Sequence, residues 1–386
     1  MKLWKDSSQL VLLYRKILRM DWLLVLVVVA LSGFGVAVVY SATYSEGGGL
    51  YRNAHLAQMA WLMGGLAVLL VLSLTDYRVW VRWSWVFFLV SLVLLVVVLK
   101  VGTVVNGARS WLRLGPVSLE PAELAKVSFI LLLAWLFQRV KDRGLLMSLL
   151  VLALTALPVA LVLKQPALGS ASVFFPIGYA VCLVGGLKKR YLLLPPLSAA
   201  SAGAYAFFGV YQRGWVIPGL KPYQLTRIRT FFDPNLDPLG AGWTINQSLI
   251  AIGSGGLWGK GFLHGEQNIY GFLPKKIAYN DFIFSVVGEE WGFVGASAVV
   301  VAECIILLLC LRAAWVSQDL AGSLIAAGIA GMFFGHMVVN IGMTIGLLPV
   351  TGIPLPFVSY GGTFLVICLG AIGLVQSVCV HGRPLR

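Results

Sequence analysis

The chain has 386 residues, of which 59% are hydrophobic and only 11% are charged. Soluble globular domains carry about 25% charged residues, so this composition excludes a soluble protein. The formal net charge is +14. Because much of it comes from Lys and Arg residues that border apolar segments, we do not expect nucleic-acid binding. We expect an all-α polytopic membrane protein with a single domain over residues 1–386.

Ten apolar segments follow one another along the chain, and each has the roughly 20 residues that an α-helix needs to cross the bilayer. The predicted spans are 21–42, 55–75, 83–101, 123–140, 145–164, 169–187, 190–211, 282–311, 320–346 and 358–380. Lys and Arg residues concentrate in alternate connections, which places both termini in the cytoplasm. The long loop 212–280, between the seventh and eighth helices, is then extracytoplasmic, and its length of about 70 residues is typical of a functional or structured loop.

The most informative residue is Asp281, because only 15 acidic residues occur in the chain and this one ends the polar loop where an apolar span begins. A carboxylate at this boundary can take a proton from a polar substrate whose lipid tail stays in the bilayer. The alternative is that Asp281 caps the N-terminus of the following helix, where aspartate is favoured. Asn280 could serve as that cap equally well.

Other charged residues fall inside the predicted spans, where charges mark paired or functional sites. Glu123 and Lys126 are three residues apart, close enough to pair on one helix face. Either they form a structural ion pair, or Glu123 holds Lys126 so that it presents its charge to a phosphate. Glu289 and Glu290 either form hydrogen bonds inside the bundle or line a polar cavity, and Glu303 is expected to face the bundle as a structural acid.

The long loop contains the segment WTINQSLIAI, residues 243–252, which includes Gln247 and Ser248. Its apolar residues fit a short amphipathic helix lying on the membrane surface. The glycines at 253–256 allow a sharp turn or a close approach of the backbone to a ligand. Lys and Arg outnumber Asp and Glu in the loop, which favours an anionic partner.

Several blocks of sequence together resemble the SEDS family of peptidoglycan polymerases, the RodA/FtsW group. The similar blocks are 107–115 (its GxRxW), 120–126 (EPAELAK, its QPSELxK), 240–261 and 349–362 (its two Gly-rich blocks) and 281–293 (its DFIF…EExGF). The resemblance covers essentially all ten predicted helices. The short N-terminus and the GKGFLHGEQ run at 259–267 are more similar to RodA than to FtsW.

This resemblance implies a glycosyltransferase of the bacterial inner membrane that polymerises lipid II into β-1,4-linked glycan strands during cell elongation and releases undecaprenyl pyrophosphate. It implies that Asp281 is the essential carboxylate and that a class B penicillin-binding transpeptidase is the partner. The departing pyrophosphate needs charge stabilisation from Arg, Lys or a divalent cation such as Mg²⁺ or Mn²⁺. The candidate substrate-binding residues are Arg109, Lys126, Glu123, Arg227, Lys260, Gln247 and Ser248.

Three departures from the family pattern matter. Ala167 replaces the acid of the family's QPDLGT motif, and Ala122 replaces the serine of QPSELxK. The segment 273–281 (LPKKIAYND) is two residues longer than the family's LPExHTD and lacks its Glu and His. The surroundings of Asp281 are therefore expected to differ from those in the family.

Two other classes of function fit some of these features. A flippase for lipid-linked precursors would also need a large groove with internal charges, and it predicts that Lys126, Glu289 and Glu290 matter more than Asp281. A non-catalytic scaffold of the cell-wall machinery predicts that the replacement of Asp281 has no effect. The polymerase is the function that we expect.

Overall fold

The structure is a computed structural model that describes residues 11, 13–44, 53–105, 108–115, 117–193, 197, 201, 203–216, 222–238, 240–273 and 275–382. Helices are numbered in chain order. The long helices are α1 (Trp22–Thr43), α2 (Ala54–Leu74), α4 (Ser84–Val101), α5 (Pro121–Arg139), α6 (Leu145–Lys164), α14 (Ile283–Val316), α15 (Leu320–Thr344) and α16 (Gly362–His381). The shorter ones are α3 (Tyr77–Arg82), α7 (Leu168–Ser172), α8 (Phe174–Val184), α9 (Lys189–Leu192), α10 (Pro222–Phe232), α11 (Ala241–Ser254), α12 (Glu266–Ile269) and α13 (Lys275–Ala278), with a π-helical segment at Tyr205–Gln212 and a 3₁₀ turn at Pro234–Leu236.

Among the described residues, 8 helices are long and apolar enough to cross a membrane, which confirms the polytopic helical class. The predicted span 169–187 is divided between α7 and α8. Pro176 explains the division, since it has no N–H to donate to the carbonyl of Ser172 four residues earlier. The predicted span 190–211 lies partly outside the described residues, so the number of ten spans stays a prediction.

Residues 101–122 contain the β-structure that the sequence patterns did not indicate. Strands β1 (Thr103–Val105), β2 (Ala108–Leu114) and β3 (Val117–Leu119) form an antiparallel sheet in the order β1-β2-β3. Thr103 pairs with Trp111, and Leu112 pairs with Leu119. Strands β1 and β3 have only 3 residues each. In β2 the alternation of apolar and polar residues is interrupted at Ser110 and Trp111, so no clear period-two pattern results. The sheet folds the segment back over one end of the bundle at the start of α5.

Burial distinguishes the centre of the bundle from its periphery. In α15 and α16, 78% of the apolar window is buried inside the protein, and in α5 the share is 72%. In α2, α4 and α6 it is 22–28%, so most of the apolar surface of these helices faces outward, as expected for helices in contact with lipid. The central helices therefore carry the interior polar residues.

The first and last long helices meet at the same end of the bundle. The backbone N–H of Asp21 donates to Gln376 Oε1 at 2.8 Å, and Gln376 Nε2 donates back to the carbonyl of Asp21 at 2.8 Å. The start of α1 and the end of α16 therefore share one side, as the charge pattern predicts. The start of α14, just after Asp281, lies at the opposite end.

A break in α14 anchors the end of the long loop. Gly292 adopts φ 63° and ψ −162°, a conformation that only glycine adopts readily. The carbonyls of Glu289 and Glu290, released from the helical pattern, accept hydrogen bonds from the N–H groups of Lys260 and Gly261 at 3.0 Å each. At membrane depth such backbone groups must find a partner. The docked loop therefore holds the first turns of α14 in place.

The predicted helix at 243–252 is confirmed as α11 (Ala241–Ser254), but its expected position on the membrane surface is only partly right. Ser248 is fully buried. Its Oγ lies 2.6 Å from Ser285 Oγ of α14 and donates to the carbonyl of Thr344 of α15 at 2.7 Å. One face of α11 therefore packs against α14 and α15, where Ser248 forms its hydrogen bonds.

Candidate active site

A cavity of ≈ 500 Å³ lies at the end of the bundle where α14 begins. This volume is typical of small-molecule sites, which measure about 300–1,000 Å³. The polar residues of its wall are Ser110, Trp111, Glu120, Ser170, Thr226, Arg227, Asp237, Thr244, Asn280, Asp281 and Thr351. They come from β2, the start of α5, α7, α10 and α11 and from the segments before α14 and after α15, so the cavity exists only in the folded chain.

Asp281 lies in this wall with 8% of its surface exposed. Its N–H donates to the carbonyl of Ile277 at 2.9 Å. Its carbonyl accepts from Asn340 Nδ2 at 2.9 Å, and the same amide donates to the carbonyl of Ile353 at 2.7 Å. The main chain of Asp281 is therefore held at its N–H and at its carbonyl, and Asn340 ties it to the segment that contributes Gly352 and Pro354 to the cavity wall.

The suggestion that Asp281 caps a helix is wrong. The N-cap residue of α14 is Phe282, and no side chain caps this helix end. Among the described residues, no side chain or backbone group donates a hydrogen bond to the Asp281 carboxylate. The carboxylate is therefore available to a substrate in the cavity.

Burial raises the pKa of Asp281 to about 7, and the positive charge of Arg227 opposes this shift. Arg227 lies in α10 and also lines the cavity, where its Nη1 donates to the carbonyl of Val350 at 3.3 Å. A general base is most effective when its pKa is near the working pH. Asp281 has the ionisation that such a base requires.

Glu120 is a second acid in the cavity, and the sequence interpretation did not single it out. It directly precedes α5, and its Oε1 accepts a hydrogen bond from Ser170 Oγ at 3.0 Å. Burial, and next the charge of Glu123, raise the pKa of Glu120 to about 8. The available signal was its place at the head of the block 120–126. Glu120 was not predicted as a site residue because it lies just outside the predicted span 123–140, and charged residues are common outside membrane spans.

Glu123 and Lys126 form the buried ion pair that their spacing predicts. Lys126 Nζ lies 2.6 Å from Glu123 Oε1 and 2.8 Å from His336 Nε2. His336 Nδ1 lies 3.2 Å from the carbonyl of Pro354, which only accepts, so Nδ1 carries the proton and Nε2 accepts from the ammonium. Neither Glu123 nor Lys126 lines the cavity. Through His336, however, their network contacts Pro354, which is part of the cavity wall. The binding of phosphate by Lys126 stays a prediction.

The remaining candidate residues lie outside the cavity wall. Arg109 is exposed on β2, and its Nη1 donates to the carbonyls of Leu99 and Lys100. Gln247 and Ser248 are buried on α11. Lys260 is described below with the acids of α14. The structure thus brings together Asp281 and Arg227, two of the predicted residues.

Two acids of α14, Glu289 and Glu290, have partners inside the bundle, whereas both carboxylate oxygens of the third, Glu303, are buried without a hydrogen-bond partner among the described residues. Glu289 Oε1 accepts from Lys260 Nζ at 2.9 Å and from the N–H of Gln267 at 3.0 Å. Glu290 Oε1 accepts a hydrogen bond from Ser41 Oγ. Of the two alternatives for these residues, hydrogen bonding inside the bundle is the one that the structure supports.

No three His, Cys, Asp or Glu side chains converge as ion ligands in the described part of the chain. The cavity acids Glu120, Asp237 and Asp281 do not form such a group. A role for Mg²⁺ or Mn²⁺ therefore stays a prediction, and the chemistry below is assigned to protein groups.

Replacing Gly352 with alanine is expected to lower the rate without unfolding the protein. Gly352 has φ +66°, and an added Cβ would lie 3.0 Å from Asp281 Oδ2. Small displacements of a reacting group can lower rates by about 10²-fold. Gly346→Ala is the matched control, because φ is +72° there and the nearest atoms, of Leu249, are at 3.6 Å. Equal loss of activity in the two variants would show that backbone strain, and not contact with Asp281, is responsible.

The fold and cavity define a multi-pass membrane protein with a buried, substrate-accessible carboxylate at one end of its bundle. The profile of the cell cycle protein family FtsW/RodA/SpoVE matches residues 21–383. The chain therefore belongs to the FtsW/RodA/SpoVE family.

Individual relatives have known names. The chain is 35% identical to the peptidoglycan glycosyltransferase RodA of Treponema pallidum, over 93% of this chain and 97% of that protein. It is 35% identical to the peptidoglycan glycosyltransferase MrdB of Escherichia coli K12, over 95% of both chains. Among solved structures, one chain of a peptidoglycan synthase complex that coordinates polymerisation and crosslinking superposes with a TM-score of 0.77 at 33% identity, covering 93% of this chain and 97% of that one. RodA of Thermus thermophilus gives 0.67 at 29% identity, covering 95% and 98%.

Proposed function

We propose that this protein is a peptidoglycan glycosyltransferase that polymerises lipid II at the outer face of the bacterial inner membrane. The observation that carries the proposal is the Asp281 carboxylate, buried beside Arg227 in a cavity at the end of a membrane bundle. A lipid-linked substrate can place its sugars in such a cavity while its tail stays among the apolar outer faces of the helices. The names of the relatives agree with this reaction.

The reaction is a single inverting displacement. The 4-hydroxyl oxygen of one lipid-linked disaccharide attacks the anomeric carbon of another, and its proton passes to the Asp281 carboxylate. The bond between the anomeric carbon and the pyrophosphate oxygen breaks, and its electron pair leaves with undecaprenyl pyrophosphate. Proton transfer of this kind contributes about 10²–10⁴-fold to the rate. Pyrophosphate is a good leaving group, so no acid is needed to protonate it.

Arg227 is the residue best placed to stabilise the departing pyrophosphate. It is the cationic side chain in the described wall of the cavity, whereas Lys126 and Lys260 lie outside that wall with carboxylate partners. A guanidinium binds phosphate oxygens through two parallel hydrogen bonds. The same cation lowers the pKa of Asp281, so that more of the base is ionised at neutral pH.

Replacing Arg227 with glutamine is expected to lower kcat by about 10²–10³-fold, the usual effect of removing one charge-stabilising group. It also removes the charge that lowers the pKa of Asp281, so the pH at which activity rises should increase. Arg229→Gln is the control, since Arg229 lies on the same helix but donates to the carbonyls of Val210 and Gly214. An unchanged pH profile in Arg227→Gln would contradict the electrostatic effect of Arg227 on the pKa of Asp281.

The geometry gives less support to a flippase. That function predicts internal charges along a translocation groove, yet Lys126, Glu289 and Glu290 are buried with protein partners. A scaffold would not need a carboxylate that faces a cavity of substrate size. Both alternatives predict that no polymer forms.

A class B penicillin-binding transpeptidase is the proposed partner. The similar chain in the solved synthase complex functions where polymerisation and crosslinking are coordinated. A polymerase that works beside a crosslinking enzyme delivers its strands directly to the next reaction. The role in cell elongation is proposed on the similarity to proteins named RodA.

The test is glycan polymerisation from purified lipid II by the detergent-solubilised protein, with and without a class B transpeptidase. Each condition is run with Mg²⁺, with Mn²⁺ and with a chelator, which tests the predicted divalent cation. We expect polymer that a muramidase digests, with more product when the transpeptidase is present. If monodisperse, folded protein makes no polymer under any of these conditions, the proposed function is wrong.

A further inference from the structure

Two departures from the family motifs meet in one cavity. Ala167 stands where the QPDLGT motif has an acid, and Glu120 stands where the QPSELxK motif has glutamine. These positions are far apart in sequence, yet both residues line the cavity that contains Asp281. Compared with those motifs, the cavity wall has one carboxyl group fewer at position 167 and one more at position 120.

The contacts of Glu120 place the gained group close to the lost one. Ser170, three residues after Ala167, donates its hydroxyl proton to Glu120 Oε1 at 3.0 Å. Ala167 is the N-cap residue of α7, which carries Ser170 in its first turn. The Glu120 carboxyl group is therefore tied to the helix that begins at the position of the missing acid.

The side chain of Glu120 does not cap the helix that it precedes. Glu120 is 9% exposed and occupies the N-cap position of α5, but its side chain makes no capping hydrogen bond to that helix. The charged groups that act on it electrostatically are Glu123 and Lys126 of α5 and Asp281, which also lines the cavity. Its carboxyl group is directed to the serine and the cavity, and not to the helix end.

Burial raises the pKa values of Glu120 and Asp281, two of the acids that line the cavity. Burial and the nearby Glu123 raise the pKa of Glu120 to about 8, whereas that of Asp281 is about 7. With its pKa raised to about 8, the Glu120 carboxyl group keeps its proton for part of the time at neutral pH. It can therefore donate a hydrogen bond to a sugar oxygen as well as accept one, while Asp281 serves as base.

We propose that Glu120 is a substrate-binding residue that takes over the position of the acid missing at Ala167. Its carboxyl group hydrogen-bonds the acceptor sugar and orients the attacking hydroxyl toward Asp281. This inference rests on the proposed glycosyltransferase function. Buried groups that hydrogen-bond a substrate contribute strongly to its recognition, because they are left unpaired when the contact is lost.

The test returns the carboxyl group to the family position. Glu120→Gln keeps the shape of the side chain and an oxygen for Ser170, and it is expected to lower kcat/KM by about 10- to 100-fold. Adding Ala167→Asp should restore kcat/KM to within a few-fold of the wild type. The matched control is Glu120→Gln with Ala167→Asn, which has the same volume at 167 without an acid and should stay low.

Lipid II binding is measured in parallel, because it does not depend on turnover. Wild-type protein that binds lipid II but makes no polymer would refute the proposed function, and the four proteins would still be ranked by affinity. Equal affinity and kcat/KM in Glu120→Gln and the wild type would overturn the inference about Glu120. So would a loss that Ala167→Asp and Ala167→Asn restore equally, or that neither restores. Equal thermal stability of the variants shows that folding is not responsible.

Discussion

Replacing Asp281 with asparagine is expected to abolish polymerisation, with a loss of at least about 10²–10⁴-fold, because an amide cannot accept the proton of the attacking hydroxyl. Asparagine has nearly the same shape, so the contact near Gly352 and the backbone hydrogen bonds to Asp281 should persist. The measurement is the initial rate of glycan synthesis from lipid II with the partner transpeptidase present.

Asp233→Asn is the matched control for this variant. Asp233 lies outside the cavity wall, and its Oδ1 accepts from the N–H of Asn235 at 3.0 Å, a contact that asparagine can keep. Normal activity in Asp233→Asn and none in Asp281→Asn would support the assignment of the base. An active Asp281→Asn protein would be the result expected of a scaffold, and it would remove the mechanism.

The same residue should control how activity and stability depend on pH. Since the pKa of Asp281 is raised to about 7, kcat/KM should increase as the pH rises through 7 and then level off. The stability of the folded protein should change with pH in the opposite direction to the activity. A carboxyl group whose pKa is raised by folding favours the folded state below its unfolded pKa, and this contribution is lost as the pH rises through the folded value. Asp281→Asn should therefore melt higher than the wild type at pH 8, and the difference should shrink toward pH 4.

The replacement of Lys126 with methionine is expected to have the largest effect on stability. Lys126 and Glu123 are almost fully buried and lie 2.6 Å apart, so the variant leaves the Glu123 charge without its cation. Removing one partner of a buried pair lowers the free energy of unfolding by about 3–5 kcal/mol. The melting temperature of the purified protein in detergent is the measurement.

The double variant Glu123→Gln/Lys126→Met separates the two possible roles of Lys126. It contains no uncompensated charge, so it should be more stable than Lys126→Met alone. If Lys126 is structural, the double variant should keep activity in proportion to its folded fraction. If the double variant folds normally but has lost activity, Lys126 also acts on the substrate. That result would agree with the hypothesis that Lys126 presents its charge to a phosphate.

Several features of the site could be predicted because their signals are local in the sequence. Asp281 is identifiable as an isolated acid at the start of an apolar segment, and the pairing of Glu123 with Lys126 follows from helical spacing. Arg227 was one of several cations proposed, and nothing in its sequence neighbourhood distinguished it from Arg109. The structure separates them, since Arg227 lines the cavity and Arg109 turns toward the end of α4.

Other features depend on contacts between distant parts of the chain. His336 joins the buried ion pair across 210 residues of sequence, and a lone histidine in an apolar span does not reveal such a partner. Glu120 contacts Ser170 across 50 residues. In the sheet at 103–119, two strands have only 3 residues, and the 7-residue strand β2 lacks regular alternation of apolar and polar residues, so the sequence does not distinguish them from a loop.

Hydropathy and residue spacing were enough to establish a polytopic helical membrane protein, the approximate bounds of its long helices and the importance of Asp281, because each depends on neighbouring residues and on the thickness of the bilayer. Family membership could be read from short motifs for the same reason. The tertiary structure alone decided which acids and cations share the cavity and how strongly each acid is desolvated. Burial and electrostatic interactions act through space, so residues as distant as Glu120, Arg227 and Asp281 acquire their roles only when the helices pack together.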